Sequence, residues 1–268
     1  MGRPIFAWKR GITSGTITAS STESGFSVND IKDFKPYSVW KAGSLTSPQT
    51  LDMDRGAPGE AADYVAFVNH NLHNLGTTVE IRADTFTPPT TVRATITPSN
   101  GSVTYQAFTN PGALRYWRVA IIDSAPPFAS APYIGELWLG LKTELPEFLA
   151  PDFDPFFDDV EVSGERSDGG NYLAAILRGH SHRGTIQFGA AGAVRASFTS
   201  DLSPFIDQHA NRGYPWIFIV DPDDSDFSTP RYIKKQDGTR VGRHAVGGAW
   251  SRLTFRIDVE EALMEPVL

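Results

Sequence analysis

The chain has 268 residues, a formal net charge of -7, 40% hydrophobic and 21% charged residues, and no cysteine. Such a balance belongs to a folded protein long enough for two cores. The acidic excess excludes a surface built to neutralise phosphates, and the missing thiols exclude disulfides and thiolate metal sites. No run approaches the roughly 20 apolar residues of a membrane-spanning helix. The opening Met1-Gly2-Arg3-Pro4-Ile5 lacks a signal-peptide core, so synthesis in the cytoplasm is expected.

In chain order, residues 1–35 hold the small, polar tract Gly11-Ile12-Thr13-Ser14-Gly15-Thr16-Ile17-Thr18-Ala19-Ser20-Ser21-Thr22, expected to form an N-terminal arm or edge strand. Residues 36–145 carry short runs rich in β-branched and aromatic side chains. These are Val39-Trp40-Lys41-Ala42-Gly43, Leu51-Asp52-Met53-Asp54, Tyr64-Val65-Ala66-Phe67-Val68, Thr78-Val79-Glu80-Ile81, Arg115-Tyr116-Trp117-Arg118 and Ile134-Gly135-Glu136-Leu137. Gly and Pro punctuate them, as at Thr87-Pro88-Pro89 and Pro98-Ser99-Asn100-Gly101, which predicts a β-sandwich.

Residues 146–159 read as a linker containing Phe153, Phe156 and Phe157. Burying a Phe is worth about 1.5 to 3 kcal/mol, so these rings are expected at an interdomain or intersubunit contact. Residues 160–268 predict further strands and one helix, with Ser203 as N-cap, Pro204 in the first turn, Phe205 and Ile206 inward, and Gly213 closing the far end. The expected fold class is therefore mainly β, a sandwich followed by a second β-rich domain with one helix.

Few residues suggest chemistry. His70 with His73, and His180 with His182, have metal-ligand spacing but no third ligand beside them, and no metal is expected. The run Asp221-Pro222-Asp223-Asp224-Ser225-Asp226 offers oxygens for calcium yet lacks the Gly and terminal Glu of an EF-hand, so it reads as an acidic loop. No nucleophile elbow, zinc-protease helix or phosphate-cradling loop occurs, and no enzyme activity or cofactor is expected. Glu136 and Arg118 read as a structural ion pair. The cluster Arg231, Lys234 and Lys235 reads as a strand edge protected by charge rather than a nucleic-acid site.

The order of runs from residue 36 to 143 resembles a galactose-binding-like (discoidin) jelly roll, with Asn69-His70-Asn71-Leu72 as the polar loop between strands. That resemblance implies carbohydrate binding at loops on one end of the sandwich, with Trp40, His70 and Asn71 as candidate ligand contacts. The second half, in which Arg183-Gly184-Thr185-Ile186-Gln187-Phe188 is followed by a helix and Tyr214-Pro215-Trp216-Ile217-Phe218, is similar to ring-forming domains of tailed-bacteriophage distal tail and baseplate proteins. It implies a structural virion component that oligomerises around the tail axis, has other tail proteins and a host-surface glycan as partners, and resides in the virion. A carbohydrate-binding module is the alternative. An unrecognised hydrolase ranks third.

Overall fold

The computed structural model describes residues 3–13, 15–144, 154–166, 172–194, 202–225, 228–239, 242–246 and 252–262. Within 154–182, 187–194, 242–246 and 252–255 the description is of the backbone. Two compact units are present, one formed by Ala7–Thr143 and the other by Met1–Phe6 with Glu144–Leu268. In chain order the strands are β1 (Ile5–Ala7), β2 (Thr16–Ala19), β3 (Trp40–Lys41), β4 (Gln49–Asp54), β5 (Tyr64–His70), β6 (Thr78–Asp84), β7 (Val92–Ile96), β8 (Val103–Ala107), β9 (Tyr116–Ile122) and β10 (Tyr133–Gly140). They continue as β11 (Thr143–Glu144), β12 (Asp154–Arg166), β13 (Tyr172–Val194), β14 (Trp216–Ile219), β15 (Arg231–Lys235), β16 (Gly242–Val246) and β17 (Arg252–Glu261), with a short helix α1 (Ser203–Gln208) before β14. The described chain is mainly β with one short α-helix, and the larger unit is a jelly-roll-like sandwich.

That sandwich pairs a four-stranded sheet, β3-β10-β5-β8, with a five-stranded sheet, β2-β4-β9-β6-β7. Period-two alternation explains the core. In β4, Leu51 and Met53 are buried while Thr50, Asp52 and Asp54 are partly exposed, and in β6 the inward residues are Val79, Ile81 and Ala83. They join Trp117 and Val119 of β9, Val65 and Phe67 of β5, and Leu137 and Leu139 of β10 in one cluster. The opposite faces of β5 and β10, with Ala66, Val68, Glu136 and Trp138, are buried too. Something must cover them.

The cover is the N-terminal segment; the edge-strand expectation for its polar tract fits β2, which lies at the edge of the five-stranded sheet, while the segment as a whole packs on the sandwich rather than extending as an arm. Two 3-10 turns, Gly11–Thr13 and Val28–Lys32, pack on β10. Between them β2 pairs with β4, Thr16 facing Asp54 and Thr18 facing Asp52. After Trp8 the fully apolar anchors are Ile12, Ile17 and Ile31, too sparse to announce a packed segment from sequence. The Arg10 guanidinium does the rest. It lies 4.5 Å from the Phe34 ring centroid and 4.4 Å from that of Trp138, ion-pairs with Glu136 at 3.2 Å, and donates to the Ile31 and Leu137 carbonyls at 2.6 and 3.0 Å. Glu136 was expected to pair with Arg118. Arg118 instead faces Asp52 across β9 and β4, on the other sheet.

In the second unit, β12, β13 and β17 form an antiparallel ladder within an eight-stranded sheet that β1 joins beside β14. The expected linker is corrected from Asp154 onward, because 154–159 belong to β12. Phe156 and Phe157 lie in that strand, but their side chains, and all of Phe153, lie outside the described residues. Phe205 and Ile206 of α1 are buried as expected, with the Phe205 ring 5.0 Å from both Phe6 and Trp216. Ser203 is not the N-cap. Leu202 takes that position without a side-chain cap, and Ser203 sits inside the helix, its hydroxyl donating to Asp207 at 3.1 Å. Gly213, at φ +74°, ends the 3-10 turn that follows. Lys234 of the basic cluster is neutralised by Glu260 at 3.0 Å, the residue opposite it in β17.

Candidate functional site

At one end of the four-stranded sheet, a cavity of about 470 Å³ opens between the loop before β3, the end of β5 and the start of β10. Phe26, Val39, Lys41, Asn69, Asn71, Ser130, Ala131 and Tyr133 line it. Local sequence chemistry sets its shape. Asn69 adopts φ +51°, a left-handed conformation that Asn tolerates better than most residues, and its amide donates to the Pro36 carbonyl at 2.6 Å. Gly135 lies opposite. A Cβ there would stand 2.2 Å from that same carbonyl oxygen, so only glycine lets the 34–37 segment approach β10 this closely.

Asn71 clamps two loops together. Its Nδ2 donates to the Ala131 carbonyl at 2.9 Å, and its Oδ1 accepts from the Tyr133 backbone N–H at 2.8 Å. On the third side, Lys41 Nζ is 2.7 Å from Glu23 Oε2 and 5.6 Å from the Phe26 ring centroid. Both charged side chains are part-exposed, so this pair contributes about 0 to 1 kcal/mol and leaves the ammonium able to exchange partners. The lining thus combines two aromatic rings, two amides fixed by backbone contacts and one mobile ammonium.

Of the three candidate contacts, the structure brings only Asn71 to the cavity wall, and there it shapes the loops. Trp40 is fully buried in the sandwich core, its indole N–H shared between the Ser21 carbonyl and Thr22 Oγ1 at 3.2 Å each. It presents no face to a ligand. His70 is 2% exposed. Its Nδ1 accepts from the Leu72 N–H at 3.3 Å, so the proton sits on Nε2, which donates to Thr104 Oγ1 at 3.0 Å. Burial, aided by the neighbouring His73, pushes its pKa down to about 4. The imidazole is a neutral core strut.

Sequence reasoning missed Phe26, Lys41, Asn69 and Tyr133. Strand alternation held the signal for Lys41, which follows inward Trp40; for Asn69 it pointed the wrong way, because Val65 and Phe67 are inward and the left-handed φ at Asn69 breaks the alternation. None of these side chains forms a nucleophile–base pair. What they can do is stack on an apolar face and hydrogen-bond to polar edges. Among the described residues, no three His, Asp or Glu side chains converge as a metal site, and no helix is long and apolar enough to cross a membrane.

No family model matches the chain, and no curated protein does. Solved structures do. A chitosan-binding module of a chitosanase/glucanase from Paenibacillus sp. IK-5 aligns with 22% identity over 49% of this chain and 98% of its own length, at a TM-score of 0.41. A module from Clostridium perfringens, solved with GalNAc-β-1,3-galactose, aligns with 14% identity over 48% of this chain and 97% of its own length, also at 0.41. The CBM32 of AlyQ, in complex with 4,5-unsaturated mannuronic acid, aligns with 20% identity over 46% and 92% at 0.38. The expectation of a phage tail or baseplate component is corrected here. The similar structures are carbohydrate-binding modules, and a strand–helix–strand order in the second half was too generic a pattern to carry a tail assignment. The ring oligomer and tail-protein partners rested on that assignment and gain no support from these similarities.

Proposed function

We propose that the jelly-roll unit is a carbohydrate-binding module that holds a glycan residue in the cavity between Phe26, Asn69 and Tyr133, and that it binds without catalysing. The observation that supports this is the lining itself. A pyranose has an apolar C–H face and hydroxyl edges, and the cavity offers aromatic rings beside fixed amides and a Lys ammonium. Preorganisation matters as much as composition. Asn69, Asn71 and Gly135 hold the walls by backbone contacts, so little ordering has to be done when a ligand arrives.

A glycan-array screen of the full chain, followed by titration calorimetry on the hits, tests the reading. Phe26→Ala is expected to weaken binding about threefold to tenfold, the worth of one aromatic contact, with the fold intact because Phe26 is 37% exposed. Tyr133→Ala is expected to act in the same direction. An array without hits, or hits whose affinity neither substitution alters, would defeat the proposal.

A further inference from the structure

We propose that the outer face of the five-stranded sheet is a second, separate binding surface, for a linear uncharged polysaccharide lying across the strands. The proposal does not rest on the cavity described above. Its basis is strand register. Thr16 of β2 faces Asp54 of β4, Asp54 faces Tyr116 of β9, and Tyr116 faces Asp84 of β6, which puts four polar side chains in one row across four strands. The next row is Thr18, Asp52, Arg118 and Arg82. Neighbouring strands stand about 4.8 Å apart, so each row is a ladder of hydrogen-bonding groups at a regular step.

Between the rows lies a trough of about 280 Å³, bordered by Thr16, Thr18, Asp52, Asp54, Tyr116 and Pro89. Its charges are matched in pairs. Asp54 receives Arg115 Nε and Nη2 at 2.7 and 2.8 Å, and Asp52 receives Arg118 Nε and Nη2 at 2.5 and 2.8 Å. A carboxylate has about four lone-pair sites and a guanidinium five N–H donors; Asp54 Oδ1 also accepts the Gly56 N–H at 2.9 Å, so Asp52 keeps about two acceptor sites and Asp54 about one, and both guanidinium groups keep donors for a ligand. Side by side, they suit adjacent hydroxyls, which donate to one partner and accept from the other. Local neutrality disfavours an ionic ligand. Arg115 also lies 4.8 Å from the Tyr116 ring centroid, fixing that ring beside the trough.

One end of the trough is built by a braced loop. Asp84 accepts from the Thr90 and Thr91 N–H groups at 2.6 and 2.9 Å and from the Thr91 hydroxyl at 2.7 Å. The loop so held places Thr87 and Pro89 at the trough, and Phe86, next to Thr87, stands 54% exposed. An aromatic ring left in water beside a polar trough is a natural stacking platform.

Affinity electrophoresis of the full chain through gels containing soluble starch, xylan, laminarin or hydroxyethylcellulose tests the idea. At least one polymer is expected to retard the protein. Phe86→Ala and Tyr116→Ala are each expected to weaken that retardation about fivefold or more, as loss of a stacking contact would. Thr18→Val, at an exposed position, provides a third probe that leaves the core untouched. In a Tyr133→Ala background, which removes the cavity's share of any retardation, Phe86→Ala and Tyr116→Ala are expected to weaken what remains by the same factor. The proposal is overturned if no polymer retards the protein, if the sheet-face variants migrate as the parent does, or if only Tyr133→Ala abolishes the effect.

Discussion

Replacing Glu136 by glutamine is expected to cost the jelly-roll unit about 3 to 5 kcal/mol, the usual penalty for removing one member of a buried ion pair. Arg10 and Glu136 have side chains 2% and 0% exposed, so neither charge has water to turn to. The guanidinium would stay between the Phe34 and Trp138 rings facing an amide, and the Trp138 indole N–H, 3.0 Å from Glu136 Oε2, would lose a charged acceptor. The consequence reaches beyond stability. Arg10 fastens the segment that carries Glu23 and Phe26, so binding in the cavity is expected to weaken together with folding. Urea unfolding of the full chain measures this, read on the transition that the substitution moves. A double replacement, Arg10→Met with Glu136→Leu, is expected to recover part of the loss, because removing both charges abolishes the desolvation penalty while the hydrogen bonds to the Ile31 and Leu137 carbonyls and from the Trp138 indole are lost as well. An unchanged transition in Glu136→Gln would show that the pair does not hold the segment.

This ion pair marks the boundary of what the sequence made legible. Period-two alternation in β4, β6 and β9, with Pro and Gly between runs, was enough to place a sandwich near residues 36 to 143. It was not enough to place residues 7–35. Their anchors are an arginine 127 positions from the carbonyl it caps, Trp8 and three scattered isoleucines, and none of these leaves a local period. The site failed in an instructive way. Trp40 and His70 looked like ligand contacts because aromatic and imidazole groups often are, yet both point inward, while Lys41 and Asn69, one residue away, line the cavity. At Lys41 a one-residue step reverses the face of the strand, whereas at Asn69 the left-handed φ breaks the alternation that Val65 and Phe67 set. Phe26 sits outside any strand, and only the folded N-terminal segment brings it to Lys41.

Acid is expected to weaken the jelly roll through His70. Its pKa falls from the ordinary imidazole value of 6.5 to about 4 because burial penalises the cation and His73 lies nearby. The unfolded chain therefore binds this proton more readily than the folded one. Stability from the neutral ring is complete above pH 6.5 and is lost as pH falls toward 4, amounting to about 3 kcal/mol at the lower limit. The geometry agrees, since a proton on Nδ1 would face the Leu72 N–H that now donates to it. The Asp54 carboxyl is held at about 2 by its hydrogen bonds from Arg115 and Gly56, against an ordinary value of 3.8, so its own contribution is lost mainly below pH 4. His70→Asn keeps an acceptor near Leu72 but cannot titrate. That variant is expected to be less stable at pH 7, from lost packing, and to show a much flatter decline between pH 6.5 and 4. Because Asn69 and Asn71 flank His70, ligand binding in the cavity is expected to fail over the same range in the parent protein. Parallel pH profiles for parent and variant would remove His70 as the cause.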